Sequence, residues 1–210
     1  MNQDKSHYYD GKLYGIIFDY ALKEIRDTII AQIEPGSNLI DIGCGTGSLV
    51  FDLAKKCNSV TGVELSSKMF DYAKRRQLAN KIQNIRFIHG DAANLPDFKD
   101  KQFDYATFSM AIHEMPPDLR VKVLLEAKRI AKKIIIADFA APLPNNLMGI
   151  MTRIIEFSAG IDHFRCFLDY QKNHGTSPLL SICQLSVYKE FTIKYGAMKI
   201  VAAKTPNISQ

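Results

Sequence analysis

At 210 residues and a formal net charge of +5, the chain suits one large domain, or a domain with a small cap. Hydrophobic residues make up 47% and charged residues 23%, the balance of a soluble globular protein. The start "MNQDKSHYYDGK" shows no secretory signal, and no apolar run approaches the roughly 18 residues of a membrane span. A cytoplasmic protein without a membrane span is expected.

Cys44, Cys57, Cys166 and Cys183 form no CxxC pair and no metal-ligand spacing, which points to reduced, mostly buried thiols. Neither a metal nor a disulfide framework is expected. The basic runs "KRR" (74–76) and "AKRIAKK" (127–133) fall at the ends of expected helices, where cations complement the helix dipole and stay solvated. No nucleic-acid motif accompanies them, which weighs against a nucleic-acid partner.

In chain order, residues 8–34 look helical and carry Tyr8, Tyr9, Tyr14 and Tyr20. Five short apolar runs then read as buried parallel strands: "NLIDI", "SVTGVEL", "IRFIHG", "FDYATFSMAI" and "KIIIADFA". Between them, Leu49, Leu53 and Ala54, then Met69, Tyr72 and Ala73, then Leu119, Val123, Ala127 and Ile130 recur at helical steps. Ser66 suits an N-cap, and Pro116 with Pro117 suits a first turn. This alternation predicts an α/β fold with a doubly wound sheet and right-handed crossovers. Residues 141–183, rich in Met and Phe, form an insertion after the fifth strand. The run "LSVYKEFTIKYGAMKIVAAK" reads as a closing antiparallel hairpin. The expected division is a helical cap over 1–34, a core over 35–140, a helical lid over 141–184 and the hairpin over 185–210, one domain overall.

The stretch "NLIDIGCGTGSLVFDL" is a strand, a three-glycine turn and a helix start, the shape in which α/β proteins cradle nucleotides. Gly43, Gly45 and Gly47 let the backbone approach a ligand closely. Their GxGxG spacing differs from the dinucleotide fingerprint GxGxxG. Glu64, at the end of the second strand, can accept hydrogen bonds from ribose hydroxyls. Asp91 in "HGDAANLP" can accept from an exocyclic amine, with the Ala92 N–H facing the ring. The turn carries no Lys or Arg, and Asp41 sits at its mouth. Beside a pyrophosphate that acid is a like-charge clash; beside an ammonium or sulfonium it is an attraction. S-adenosylmethionine, which has a positive sulfur and no phosphate, fits these placements.

"LIDIGCGTG", "GVELSSKM", "GDAANLP" and "FDYATFSMAIHEM" resemble, in order and spacing, the motifs of class I S-adenosylmethionine-dependent methyltransferases. The start of the chain and "IIIADFAAP" look like the branch related to ubiquinone and menaquinone biosynthesis methyltransferases. The resemblance implies a mostly parallel, seven-stranded, Rossmann-like sheet whose last pair is the hairpin. It implies cofactor contacts from Asp41, Gly43, Cys44, Gly45, Glu64, Asp91 and Ala92, with Leu65 and Met69 lining adenine and Ser109 near the methionine end. Transfer from a sulfonium needs a base only if the acceptor loses a proton. His113 and Asp138, at the rim after the fourth and fifth strands, are candidates for that work, set against a structural, hydrogen-bonded histidine. For a small-molecule acceptor, Tyr9, His163 and Arg165 are candidate contacts, set against a helix-surface pair for the last two. Three other functions stay open: a nicotinamide oxidoreductase, a nucleic-acid methyltransferase and a non-catalytic S-adenosylmethionine-binding partner protein.

Overall fold

A computed structural model describes residues 22–205. Tyr8, Tyr9, Tyr14 and Tyr20, with most of the expected N-terminal cap, lie outside the described residues. Seven strands form one sheet in the order β3-β2-β1-β4-β5-β7-β6. They are β1 (Asn38–Ile42), β2 (Ser59–Glu64), β3 (Ile85–His89), β4 (Phe103–Ser109), β5 (Ala131–Phe139), β6 (Ser186–Ile193) and β7 (Met198–Lys204). The first five pair in parallel, and β7 lies antiparallel between β5 and β6. The order reverses between β1 and β4, so the crevice at the carboxyl ends of these two strands is the natural ligand position.

Composition explains this order. Residues 134–139 of β5 are all buried, as expected for a strand covered on both faces by helices. β6 is exposed along most of its length, carries Lys189 and has an irregularity at Val187/Lys189, features that protect an edge strand from further pairing. Among the described residues α1 (Lys23–Ala31) precedes β1, and the helices between β1 and β5 are α2 (Ser48–Leu53), α3 (Ser67–Ala79) and α4 (Pro117–Ile130); the lid helices are α5 (Leu147–Ser158), α6 (Ile161–Lys172) and α7 (Thr176–Ile182). The Ser66 side chain accepts the Met69 N–H at the start of α3, and Pro116 and Pro117 open α4. Asn146 caps α5 in the same way, accepting from the Gly149 N–H at 3.0 Å.

The basic runs differ from expectation, because two of their members are held rather than solvated. Arg76 Nη1 donates to Thr46 O and to Ser48 Oγ (3.0 Å), and its guanidinium lies 4.4 Å from the Phe51 ring centre. Arg129 forks onto Glu126 and Asp100 and also donates to the carbonyls of Leu95 and Phe98. Arg76 thereby ties α3 to the glycine turn, and Arg129 ties α4 to the loop over 95–100. No helix among the described residues is long and apolar enough to cross a membrane.

A ligand cleft at the strand ends

The glycine turn starts where β1 ends. Gly43, Gly45 and Gly47 all have positive φ, at 70°, 55° and 81°. A Cβ on Gly47 would lie 2.7 Å from the Phe87 ring, and one on Gly43 would lie 3.0 Å from the Ala111 Cβ. Only glycine therefore brings this backbone both into its left-handed turns and up against its neighbours. The turn is held from the side by Glu64: its Oε2 accepts the Gly45 N–H and its Oε1 accepts the Ser66 N–H, each at 2.8 Å.

Asp41 lies beneath the turn. It is 2% exposed, and its Oδ1 accepts the Thr107 hydroxyl at 2.6 Å from the paired residue on β4. Burial raises its pKa to about 7; the Thr107 bond opposes that rise and the Glu64 charge adds to it. Burial, with Glu64 and Asp41 behind it, also lifts the Cys44 thiol well above its ordinary range. The pocket is thus an acidic hollow in which one carboxylate has lost water and gained a like-charged neighbour, so a cation is favoured there. Met110, which follows β4, has φ 57° and donates its N–H to Ala137 O at 2.8 Å. A non-glycine residue in that region marks a backbone held against its preference, here on the cleft wall.

All ten residues expected to contact the cofactor line one cleft: Asp41, Gly43, Cys44, Gly45, Glu64, Leu65, Met69, Asp91, Ala92 and Ser109. Asp91 Oδ1 accepts the Ala93 N–H at 2.9 Å, so it also shapes its own turn.

Residues 39–133 match a protein family described as a methyltransferase domain. A demethylmenaquinone methyltransferase of Staphylococcus saprophyticus is 33% identical over 135 residues, which covers 62% of this chain and 55% of that protein. The chain spans about half the length of the curated relatives it matches. Residues 39–133 are thus similar to a methyltransferase domain.

Solved structures agree on the fold of these residues and their flanks. An S-adenosylmethionine-dependent methyltransferase from Aquifex aeolicus superposes with a TM-score of 0.68 at 17% identity, covering 94% of this chain and 100% of that one. Magnesium protoporphyrin IX methyltransferase from Synechocystis PCC 6803, with bound S-adenosylhomocysteine, gives 0.62 at 20% identity, covering 90% and 84%.

The residues expected to do chemistry lie elsewhere. His113 and Asp138 are 2% and 1% exposed, and neither lines the cleft. Asp138 Oδ2 accepts the N–H groups of Ile112 and His113, and Oδ1 accepts that of Phe139. With its oxygens committed as acceptors, the 2.6 Å contact to His113 Nδ1 places the proton on that nitrogen. His113 Nε2 lies 3.4 Å from Glu156 Oε2 on α5. Burial disfavours the imidazolium, but Asp138 and then Glu156 outweigh it and push the pKa to about 10. Burial likewise opposes the Glu156 carboxylate, yet His113 and His163 pull its pKa down to about 2. The expectation of a general base at the rim is therefore corrected: both ring nitrogens of His113 face carboxylates behind the wall.

His163 and Arg165 separate as well. His163 is buried and meets Glu156 Oε2 at 2.5 Å, whereas Arg165 is exposed and pairs with Asp162. Neither expectation for His163, an acceptor contact or a surface pair, matches a core position between lid helices. Tyr9 lies outside the described residues. The cleft is also lined by residues outside the expected set, among them Leu22 and Arg26 of the N-terminal segment, Met115 and Leu119 after β4, and Glu114, which the sequence placed only at the rim. Met115 could have been found from "HEM" following the strand; no sequence signal marked Arg26.

Proposed function

We propose that the chain is an S-adenosylmethionine-dependent methyltransferase acting on a small, largely apolar molecule. The observation that carries it is the convergence of Asp41, Glu64, Asp91 and the glycine turn on one cleft. The fit to this cofactor is chemical. A buried acid whose pKa sits near 7 gains most from a permanent cation beside it, and a pyrophosphate would add like charge. Close backbone approach at Gly43 leaves room for a ligand where a Cβ would meet Ala111. Bound S-adenosylmethionine would supply a methyl group on a sulfonium, passed in line to the acceptor with a neutral thioether leaving.

Glu64 is placed for the ribose hydroxyls while holding the turn, and Asp91 and Ala92 for the adenine edge, with Leu65 and Met69 against its faces. Cys44 and Ser109 line the path toward the methionine end. Arg26, on the same cleft, is suited to the carboxylate of the amino acid end. With His113 and Asp138 behind the wall, the contribution of the cleft residues is orientation of the acceptor and exclusion of water. Placing reactants at contact distance can supply about 7–11 kcal/mol of the barrier.

Residues 141–184 are proposed as a lid for the acceptor side, and Leu22 and Arg26 reach the cleft from before β1. Met110 and Met115 on the cleft, and Met148 and Phe164 packed at the edge of the core, favour an apolar acceptor. Similarity to demethylmenaquinone methyltransferases favours a quinone-type ring within that class. Calorimetry tests the ligand: S-adenosylmethionine or S-adenosylhomocysteine should bind with a Kd in the micromolar range, near −8 kcal/mol, and NAD should not compete. Transfer of labelled methyl groups to a quinone-type acceptor tests the activity; binding without transfer to any of a panel of small acceptors would favour a non-catalytic partner protein.

A further inference from the structure

We propose that His113, His163, Glu156 and Glu114 form a binding site for one divalent transition-metal ion between the lid and the cleft. The inference stands on these side chains and does not depend on the proposed activity. Donor atoms of His113, Glu114 and His163 all lie within 4.8 Å of one another. Glu156 Oε2 sits between the two rings, 2.5 Å from His163 Nε2 and 3.4 Å from His113 Nε2. Around a tetrahedral ion with bonds of about 2.0–2.1 Å, neighbouring donors are roughly 3.3 Å apart. The separations among His113, Glu114 and His163 therefore have to close by no more than about 1.5 Å, a side-chain adjustment, with the ion replacing protons now shared among these groups.

The chemistry of the donors selects the ion. Two imidazoles and carboxylates suit zinc, cobalt(II) or iron(II), whereas magnesium and calcium require mostly oxygen ligands. None of the four cysteines belongs to the cluster, which is why cysteine spacing gave no sign of it. The surroundings are those of a prepared ligand. Asp138 accepts the His113 Nδ1–H and is itself fixed by three backbone amides, so the ring presents Nε2 in one orientation. Phe139 packs on that ring with centres 4.7 Å apart, and Phe167 at 6.3 Å. Three donors are buried, but Glu114 is half-buried and lines the cleft, which gives the ion a way in.

The placement also assigns a consequence. His113 and Glu114 lie between β4 and α4, Glu156 is on α5 and His163 is on α6. One ion would therefore tie α5 and α6 to the strand end beside the acceptor side of the cleft.

The test is titration of chelator-treated full-length protein with Co²⁺ and with Zn²⁺, followed by calorimetry and by the visible absorption of Co²⁺. The expected result is saturable uptake of one ion with a new visible band. His163→Gln and Glu156→Gln should each weaken it at least tenfold, and Asp138→Asn roughly 10- to 100-fold. Circular dichroism establishes which variants fold; if Asp138→Asn does not, the two lid variants carry the comparison. Absence of saturable uptake, or equal affinity in folded His163→Gln and Glu156→Gln, would overturn the proposal. The cluster would then be a latch of buried ion pairs.

Discussion

The carboxylate of Glu64 holds the backbone of Gly45: Oε2 accepts the Gly45 N–H at 2.8 Å while Oε1 accepts the Ser66 N–H at the same distance. One side chain thus fastens the glycine turn to the start of α3. The acid is therefore oriented before anything binds.

Replacing Glu64 by Ala removes charge-assisted bonds on both sides. Affinity for S-adenosylmethionine should fall by about 10- to 150-fold, equivalent to ~1.5–3 kcal/mol. The melting temperature should fall as well, because two backbone amides lose their acceptor. A folded variant with unchanged affinity in calorimetry would restrict Glu64 to holding the turn.

Asp41 makes stability and binding respond to pH in opposite directions. Its pKa is raised to about 7 in the fold, against 3.8 for an ordinary aspartate. Between those values the native state binds the extra proton, so the ligand-free protein loses stability as pH rises from about 4 to about 7. Asp41→Asn should remove that loss, leaving the variant more stable than the parent at pH 8 in chemical denaturation. Affinity of the parent for the cationic cofactor should rise between pH 6 and 8, by up to about tenfold per unit below the pKa. The Asn variant should bind weakly and with a flat profile; a flat profile in the parent would separate Asp41 from the cation.

Two glycines in one turn should respond differently to Ala. At Gly47 the new Cβ meets Phe87 at 2.7 Å in addition to an unfavourable φ of 81°. At Gly45 the nearest atom is Met69 Sδ at 3.6 Å, so backbone strain acts alone. Gly45→Ala should cost about 1 kcal/mol and Gly47→Ala about 2–3 kcal/mol, read as a melting drop of roughly 2–4 °C per kcal/mol. Equal losses would show that Phe87 moves aside freely.

Arg120 joins α4 to the lid. It is 3% exposed, and it donates to Ile112 O, to Asp169 at 2.7 Å and to Cys166 O at 2.6 Å. Arg120→Met keeps much of the stem volume but leaves three acceptors without this donor, at about 2–4 kcal/mol. Hydrogen exchange should accelerate across residues 161–172 more than in β1 or β4. Lys should restore little, since one ammonium cannot span the three acceptors.

The cofactor cleft was legible because its parts are local. Strand, glycine turn and following acid are set by short-range geometry, and ten positions read from such motifs line the same cleft. Ser66, Pro116 and Pro117 were legible for the same reason, as helix starts. The cluster behind the rim was not. His113 meets Glu156 across 43 positions and Asp138 across 25, and nothing in the spacing of "HEM" or "DHFRC" encodes that meeting. His163 and Arg165 show the limit most simply: two residues apart on one helix, they project to opposite environments. Arg76 was misjudged because a helix-end cation near Phe51 and Ser48 depends on how α3 packs beside α2.

The position of β7 fixes the order in which the sheet can be completed. β6 is made before β7 but pairs only with it, and β7 fills the place between β5 and β6. During synthesis β6 therefore has no partner, and the β5 edge, with its run of isoleucines at 134–136, stays open until residues 198–204 emerge. A ribosome-bound chain arrested near residue 190 should present a long, apolar, unpaired strand edge, the kind that chaperones capture and that joins to other chains. The finished protein conceals this hazard by placing its last strand one position in from the edge.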